Sequence, residues 1–92
     1  MRFEWDENRN DENIARHGLF FEDADAIFDA PLLTEPDTRF DYGETRWVGI
    51  GLLGDTIVVV VYTYRGTDTI RIISLRGALT HERNRYEAYL QE

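Results

Sequence analysis

Arginine is the residue type of this sequence best suited to binding an anion, and it is concentrated in residues 65–85. The five arginines of this stretch are Arg65, Arg71, Arg76, Arg83 and Arg85. Two acids, Asp68 and Glu82, stand against these five positive charges, so the stretch has a net charge of +3 in a chain of net charge −8. A guanidinium group binds two oxygens of a phosphate or carboxylate at once. We therefore interpret the stretch as a candidate anion-binding surface.

The composition is that of a small folded domain. The 92 residues predict one domain over 1–92, and a hydrophobic fraction of 42% supports a core. Cysteine and lysine are both absent, which excludes disulfides and any mechanism that uses a lysine amine. No apolar run resembles a signal peptide or is long enough to span a membrane, so we expect a cytoplasmic protein without a membrane partner. The acidic net charge argues against non-specific binding of nucleic acid.

Hydrophobic periodicity and turn residues predict an α+β domain with the order β-α-α-β-β-β-β-α. We expect a small antiparallel meander sheet with two N-terminal helices and one C-terminal helix, all packed on one face. Gly54 and Asp55 predict a two-residue hairpin, and Thr80 is the expected cap of the last helix. The predicted elements are a strand over 2–5, helices over Glu7–His17 and Phe21–Phe28, a brief strand at Leu32 and Leu33, a polar loop over Pro36–Gly43, strands over Arg46–Leu52, Thr56–Tyr64 and Thr69–Leu75, and a helix over Thr80–Leu90.

Strand alternation decides which arginines can act together. In a regular strand, Ser74 and Arg76 face one side of the sheet and Arg71 faces the other. Arg71 and Arg76 can then meet one ligand only if the strand ends or bulges before Arg76. Arg65 joins Arg71 if residues 66–68 form a three-residue loop, and it joins Ser74 and Arg76 if the loop has an even length. The sequence leaves this register open.

Several short motifs occur in the order and with the spacing of a known family. They are Phe3-Glu4-Trp5-Asp6, Asn13, Arg16-His17-Gly18, Phe21, Phe28-Asp29-Ala30-Pro31, Glu44-Thr45-Arg46, Tyr64-Arg65-Gly66, Arg71-Ile72-Ile73-Ser74-Leu75-Arg76, Glu82 and Tyr86. They extend over nearly the whole chain. The sequence therefore resembles the BrnT family, the ribonuclease toxins of type II toxin–antitoxin pairs.

The resemblance implies a RelE-like fold, cleavage of RNA and growth arrest. It also implies neutralisation by a BrnA-like antitoxin of the ribbon-helix-helix type, with contact to DNA only through that antitoxin. The sequence itself shows no metal-ligand spacing of the HExxH kind and no glycine-rich phosphate loop. We predict that the protein uses neither a metal nor a cofactor.

Cleavage of RNA without a metal needs a base for the 2′-hydroxyl, a cation for the charged phosphorane and an acid for the leaving 5′-oxygen. Arg65 and Arg76 are the candidate cations, since a planar guanidinium fits two phosphate oxygens. His17 and Glu82 are the candidates for proton transfer. The predicted substrate-binding residues are Arg71, Arg46 and Ser74.

Each of these residues also has a structural interpretation. The arginines fit solvated strand ends that pair with Asp68 and Glu82, and His17 fits a cap at the end of a helix. Glu82 fits the preference for negative charge in the first turn of a helix. The alternative function is therefore a non-catalytic binding module, or a degenerate toxin that acts only as the partner of a transcriptional repressor.

Overall fold

Five strands and three helices follow one another in the computed structural model, which describes residues 1–92. The order is the expected β-α-α-β-β-β-β-α, with a 3₁₀ helix as the second helical element. The elements are β1 (Arg2–Trp5), α1 (Glu7–His17), the 3₁₀ helix (Phe21–Asp29), β2 (Leu33–Asp37), β3 (Arg46–Leu53), β4 (Thr56–Arg65), β5 (Thr69–Gly77) and α2 (Thr80–Leu90). None of the helices is long and apolar enough to cross a membrane.

The sheet is mixed, which corrects the prediction of an antiparallel meander. Its strand order is β1-β5-β4-β3-β2. Each strand from β2 to β5 is antiparallel to the next, but β1 lies beside β5 and runs parallel to it. Side-chain alternation reports the faces of a strand and not its direction. The parallel pairing of β1 with β5, which are far apart in the chain, therefore cannot be predicted from the local sequence.

The helices pack on both faces of the sheet, so the prediction that they share one face is wrong. The main core lies between the 3₁₀ helix and β4, where Phe21 and Ile27 pack with Val60 and Tyr62. On the other face, Tyr86 of α2 packs on a smaller core that contains Ile50 and Val59. The central strand β4 is therefore covered on both faces, as its continuous apolar run predicts. The Tyr86 hydroxyl also donates a hydrogen bond of 2.7 Å to the carbonyl of Pro31.

A β-bulge in β5 determines the direction of the side chains that follow it. Tyr62 pairs with Ile72, but its neighbour Val61 pairs with Ser74, so Ile73 has no partner on β4. One extra residue shifts the alternation of a strand by one position. Ser74 therefore points to the same face as Arg71. The prediction for a regular strand, which placed Ser74 and Arg76 on the face opposite Arg71, is therefore wrong. The alternative that the strand bulges before Arg76 is the one observed.

The ends of the helices follow their local signals, with one exception. The Asp6 side chain accepts a hydrogen bond of 2.8 Å from the Asn8 N–H, and Gly18 ends α1 in the left-handed region with φ of 70°. At the start of α2 the capping position is Leu79 and not Thr80. Glu82 reaches back to accept a hydrogen bond of 2.8 Å from the Leu79 N–H. A carboxylate from the first turn of α2 thus replaces the expected hydroxyl cap.

Candidate functional site

The half of the sheet that α2 leaves open carries all the arginines that the sequence singled out on strands. Arg71, Ser74 and Arg76 share this face because of the bulge, since they pair with Thr63, Val61 and Val59. Residues 66–68 form a three-residue loop between β4 and β5, so Arg65 pairs with Thr69 and faces the same way. Arg46 joins them from β3, where it stacks over the Tyr42 ring at 4.1 Å.

The register spreads these side chains along the face. Arg71 and Arg76 pair with Thr63 and Val59, four residues apart on β4, which places their backbones about 13 Å from each other. Arg65 is six residues from Val59 on the same strand, so its backbone lies about 20 Å from that of Arg76. One phosphate can therefore not be held by both Arg65 and Arg76. The arginines therefore lie at successive positions along the face.

Each of these arginines pairs with a carboxylate from another element. Arg76 binds Glu82 of α2 through two bonds of 2.7 and 2.8 Å, and Arg71 binds Glu4 of β1. Glu44 lies between Arg46 and Arg65, at 3.2 and 3.1 Å from their nitrogens. The expected structural pairing with Glu82 is present for Arg76. Asp68 instead accepts a hydrogen bond from the Thr69 hydroxyl, so the positive charge of the stretch is balanced mainly from elsewhere in the chain.

The Arg76–Glu82 pair is the one of these contacts that is held by two hydrogen bonds. Hydrogen bonds from Arg76 hold the pKa of Glu82 at about 2, and the carboxylate in turn raises the pKa of Arg76. A carboxylate with so low a pKa is a weak base at neutral pH, because proton transfer works best near the pKa of the base. The geometry therefore favours an orienting role for Glu82. Both side chains are partly buried, which limits the water that competes for them.

Two depressions meet at Ser74. The first, of about 210 Å³, lies between α1 and the bulge and is lined by His17, Arg16, Arg9 and Ser74. The second, of about 430 Å³, lies on the open sheet face. Its polar lining includes Ser74, Arg76, Glu82, Asp37 and Arg39. The structure therefore brings His17 to the neighbourhood of Ser74, while Arg65 and Arg46 lie at the far end of the face.

Asp37 and Arg39 were not predicted as site residues, because the sequence predicts a polar loop over Pro36–Gly43. Strand β2 continues to Asp37, whose side chain is 2% exposed, and Arg39 binds both of its oxygens at 2.9 Å. These bonds hold the pKa of Asp37 at about 2 and raise that of Arg39. The only local sequence signal for this ion pair is an acid and an arginine two positions apart.

The tryptophans, Tyr86 and His81 are structural or lie outside both depressions. Trp5 and Trp47 pack against the main core. Tyr86 is fully buried, and His81 is exposed on α2. No group of three or more His, Asp or Glu side chains is arranged as metal ligands.

The fold and the site define a small α+β protein with a mixed sheet and one sheet face that is rich in arginine. The family model described as "Ribonuclease toxin, BrnT, of type II toxin-antitoxin system" matches residues 5–82. The chain belongs to this family of ribonuclease toxins.

Comparison with solved structures agrees with this assignment. The chain is similar to the Brucella abortus ribonuclease toxin, BrnT, known from a crystal structure at 1.1 Å resolution. The two share 31% sequence identity with a TM-score of 0.66, over 87% of this chain and 99% of the other. No curated protein sequence matches the chain.

Proposed function

We propose that this protein is an endoribonuclease toxin that cleaves RNA without a metal ion and thereby arrests growth. The observation that carries the proposal is the common face of Ser74 and Arg76, with Glu82 bound to Arg76, inside the region matched by the ribonuclease toxin family. The description of the family supplies the class of substrate. The arginine face supplies groups with the right chemistry for a phosphodiester.

Cleavage starts when the 2′-hydroxyl loses its proton to water and its oxygen attacks the adjacent phosphorus. It ends when the bond from phosphorus to the 5′-oxygen breaks and that oxygen takes up a proton, which leaves a 2′,3′-cyclic phosphate and a free 5′-hydroxyl. Negative charge accumulates on the phosphorane oxygens between these events, and a fixed guanidinium stabilises it. Arg76 takes this role because Glu82 holds its guanidinium in one orientation. The Ser74 hydroxyl lies in the same depression and donates to a phosphate oxygen. Arg71, Arg46 and Arg65 bind phosphates farther along the strand of RNA.

His17 is the candidate for proton transfer. It lies at the end of α1, is exposed, and lines the depression that shares Ser74 with the Arg76 site. An imidazole ring can donate and accept a proton, which suits a proton donor to the leaving 5′-oxygen. Glu82 orients Arg76 in this scheme and does not act as the base.

The partners follow from the same proposal. A BrnA-like antitoxin of the ribbon-helix-helix type neutralises the toxin in the cytoplasm, and the toxin contacts DNA only through it. Membership of a type II toxin–antitoxin family supports a protein antitoxin and an RNA target.

The test is incubation of the purified protein with end-labelled RNA, with and without EDTA. We expect cleavage that persists in EDTA and that falls at least 100-fold in Arg76→Ala. Arg83→Ala is the matched control, since Arg83 is an exposed arginine that lines neither depression and pairs with no carboxylate. If EDTA abolishes cleavage and added Mg²⁺ restores it, the proposal of metal independence is contradicted. Equal activity of the two variants would contradict the site.

One observation favours a second function, in which the protein binds without turnover. Every arginine on the open sheet face is already paired with a carboxylate, although Arg46 and Arg65 share Glu44, and this pairing weakens attraction for RNA. A non-catalytic binding module, or a degenerate toxin that serves only its repressor partner, fits this balance. It predicts capture of the antitoxin with no cleavage of RNA under any condition of the same assay.

A further inference from the structure

Two arginines face the depression that contains Ser74, and each is fixed by a carboxylate of its own. Arg76 is bound through two bonds by Glu82, and Arg39 is bound through two bonds by Asp37. The two guanidinium groups come from different parts of the chain, β5 and the segment after β2. Both side chains line the same depression, together with Ser74.

Both guanidinium groups keep free donors. Arg39 binds Asp37 through Nε and Nη2, so its Nη1 group makes no hydrogen bond. Arg76 uses Nη1 and Nη2 for Glu82, with Nη1 also 3.2 Å from the carbonyl of Gly77, so its Nε–H is free. A guanidinium has five N–H donors, so these groups and the second N–H of each Nη2 are left for a ligand.

Arg39 is held from a buried anchor. The Asp37 side chain is 2% exposed, whereas that of Arg39 is 68% exposed. Asp37 also accepts hydrogen bonds of 3.0 Å from the Tyr42 hydroxyl and 3.2 Å from the Arg39 backbone N–H. The carboxylate is thus fixed, and the guanidinium that it holds projects to solvent. An arginine held in this way loses little conformational entropy when it binds.

The acids around the depression do not repel an anion strongly. Its three carboxylates are those of Glu35, Asp37 and Glu82. Each is paired with an arginine, the first of them with Arg85 at 3.4 Å. With Arg85, which lies outside the lining, the charges at the depression balance, and free N–H donors from two guanidinium groups and a hydroxyl at Ser74 remain.

We propose that Arg39 and Arg76 together bind one phosphate of single-stranded RNA in this depression, with Asp37 as the residue that positions Arg39. This inference rests on the proposed ribonuclease function and adds to it a second cation at the phosphate beside Ser74. A phosphate is the ligand that uses two forked donors and a hydroxyl at once. Arg39 acts here in binding and charge stabilisation, without a part in proton transfer.

Binding of a short 2′-O-methyl oligoribonucleotide, labelled with a fluorophore and titrated at several salt concentrations, tests this site. The probe has phosphates but no free 2′-hydroxyl, so it cannot be cleaved. We expect Arg39→Ala to weaken binding about tenfold and to lower the slope of log K against log salt by about 0.7, the value of one phosphate contact on a single strand. Asp37→Asn should also weaken binding, because the Arg39 guanidinium is then no longer held in place by a carboxylate.

Arg83→Ala removes the same charge outside the depression and serves as the control. The proposal is overturned if Arg39→Ala and Arg83→Ala share affinity and salt slope, or if the wild-type protein does not bind the probe. Circular dichroism of each variant establishes that it is folded. Arg39→Lys keeps the positive charge but loses the paired N–H donors of the guanidinium, so we expect it to bind more weakly than wild type. Binding of the probe that depends on Arg39, together with intact RNA after incubation, would leave this site standing and reject only the ribonuclease function.

Discussion

The Asn13 side chain completes the backbone hydrogen bonding of Leu75 where β1 no longer covers the edge of β5. Its Oδ1 accepts a bond of 3.0 Å from the Leu75 N–H, and its Nδ2 donates one of 2.8 Å to the Leu75 carbonyl. Nδ2 also donates a bond of 3.0 Å to the carbonyl of Leu19. A side-chain amide has the donor and acceptor of a peptide group, so Asn13 takes the place of a strand residue. It fixes α1 to β5 between Ser74 and Arg76.

Asn13→Ala is therefore expected to destabilise the protein by about 2–3 kcal/mol. The substitution removes three hydrogen bonds and leaves a buried N–H without a partner. Urea denaturation followed by circular dichroism measures the loss. Asn84→Ala is the control, since Asn84 is exposed on α2 and its side chain makes no hydrogen bond. Equal midpoints for the two variants would contradict the structural role of Asn13.

Gly51 allows the 3₁₀ helix to lie close to β3. A Cβ atom there would come within 2.8 Å of Cγ2 of Ile27 and 3.0 Å of Cδ1 of Leu32. We expect Gly51→Ala to destabilise the fold by about 1–3 kcal/mol, because the buried Ile27 cannot move away without disturbing the core. Gly77→Ala is the matched control on β5, where an added Cβ meets nothing within 4 Å. Thermal unfolding of both variants checks the prediction, which fails if the two melt alike.

Stability is expected to fall at acidic pH through Asp37 and Glu82. Their ordinary pKa values of 3.8 and 4.5 drop to about 2 in the folded protein, mainly through hydrogen bonds from Arg39 and Arg76. A lowered folded-state pKa means that the unfolded chain binds protons first as the pH decreases. The stabilisation is complete above about pH 4.5 and is lost as the pH falls toward 2.

Urea midpoints measured across this range test the acid dependence. Asp37→Asn and Glu82→Gln should each flatten the curve, because each removes a carboxylate with a lowered pKa. Asp25→Asn is the control, since Asp25 is exposed and pairs with no arginine. A double variant of Asp37 and Glu82 that keeps the wild-type slope would falsify this account.

The pH dependence of RNA cleavage separates the roles of His17 and Glu82. We expect His17→Ala to lower the cleavage rate about 100-fold or more and to remove one limb of the pH–rate profile, since it deletes a proton-transfer group. Glu82→Gln should lower the rate while both limbs remain, because its carboxylate only orients Arg76. His81→Ala, an exposed histidine outside both depressions, should leave the profile unchanged. A limb that disappears with Glu82→Gln would instead identify Glu82 as the base.

Much of the fold was predictable because its signals act over a few residues. The bounds of α1 and α2 are the predicted ones, the Gly54–Asp55 turn joins β3 to β4, and the apolar run of β4 forms the central strand. The sequence motifs also identified the family, which the family model and the structural match confirm. Caps, turns and hydrophobic runs depend on neighbours in sequence, so they can be read without the fold.

The arrangement of the candidate site was less predictable. The sequence singled out Arg71, Ser74 and Arg76 but could not place them on one face, because the bulge at Ile73 arises from pairing with β4. It did not indicate Arg39 at all. The site assignments themselves stay predictions until the variants are measured.

The sequence by itself determined the secondary-structure elements, the family and the positions of the arginines along the chain. Only the tertiary structure decided the parallel pairing of β1 with β5 and the partners of the arginines, such as Glu4 for Arg71. It also decided that Arg39 and Arg76 line one depression. The physical reason is that strand register and ion pairing join residues far apart in the chain, and their energies depend on contacts that exist only once the sheet has formed.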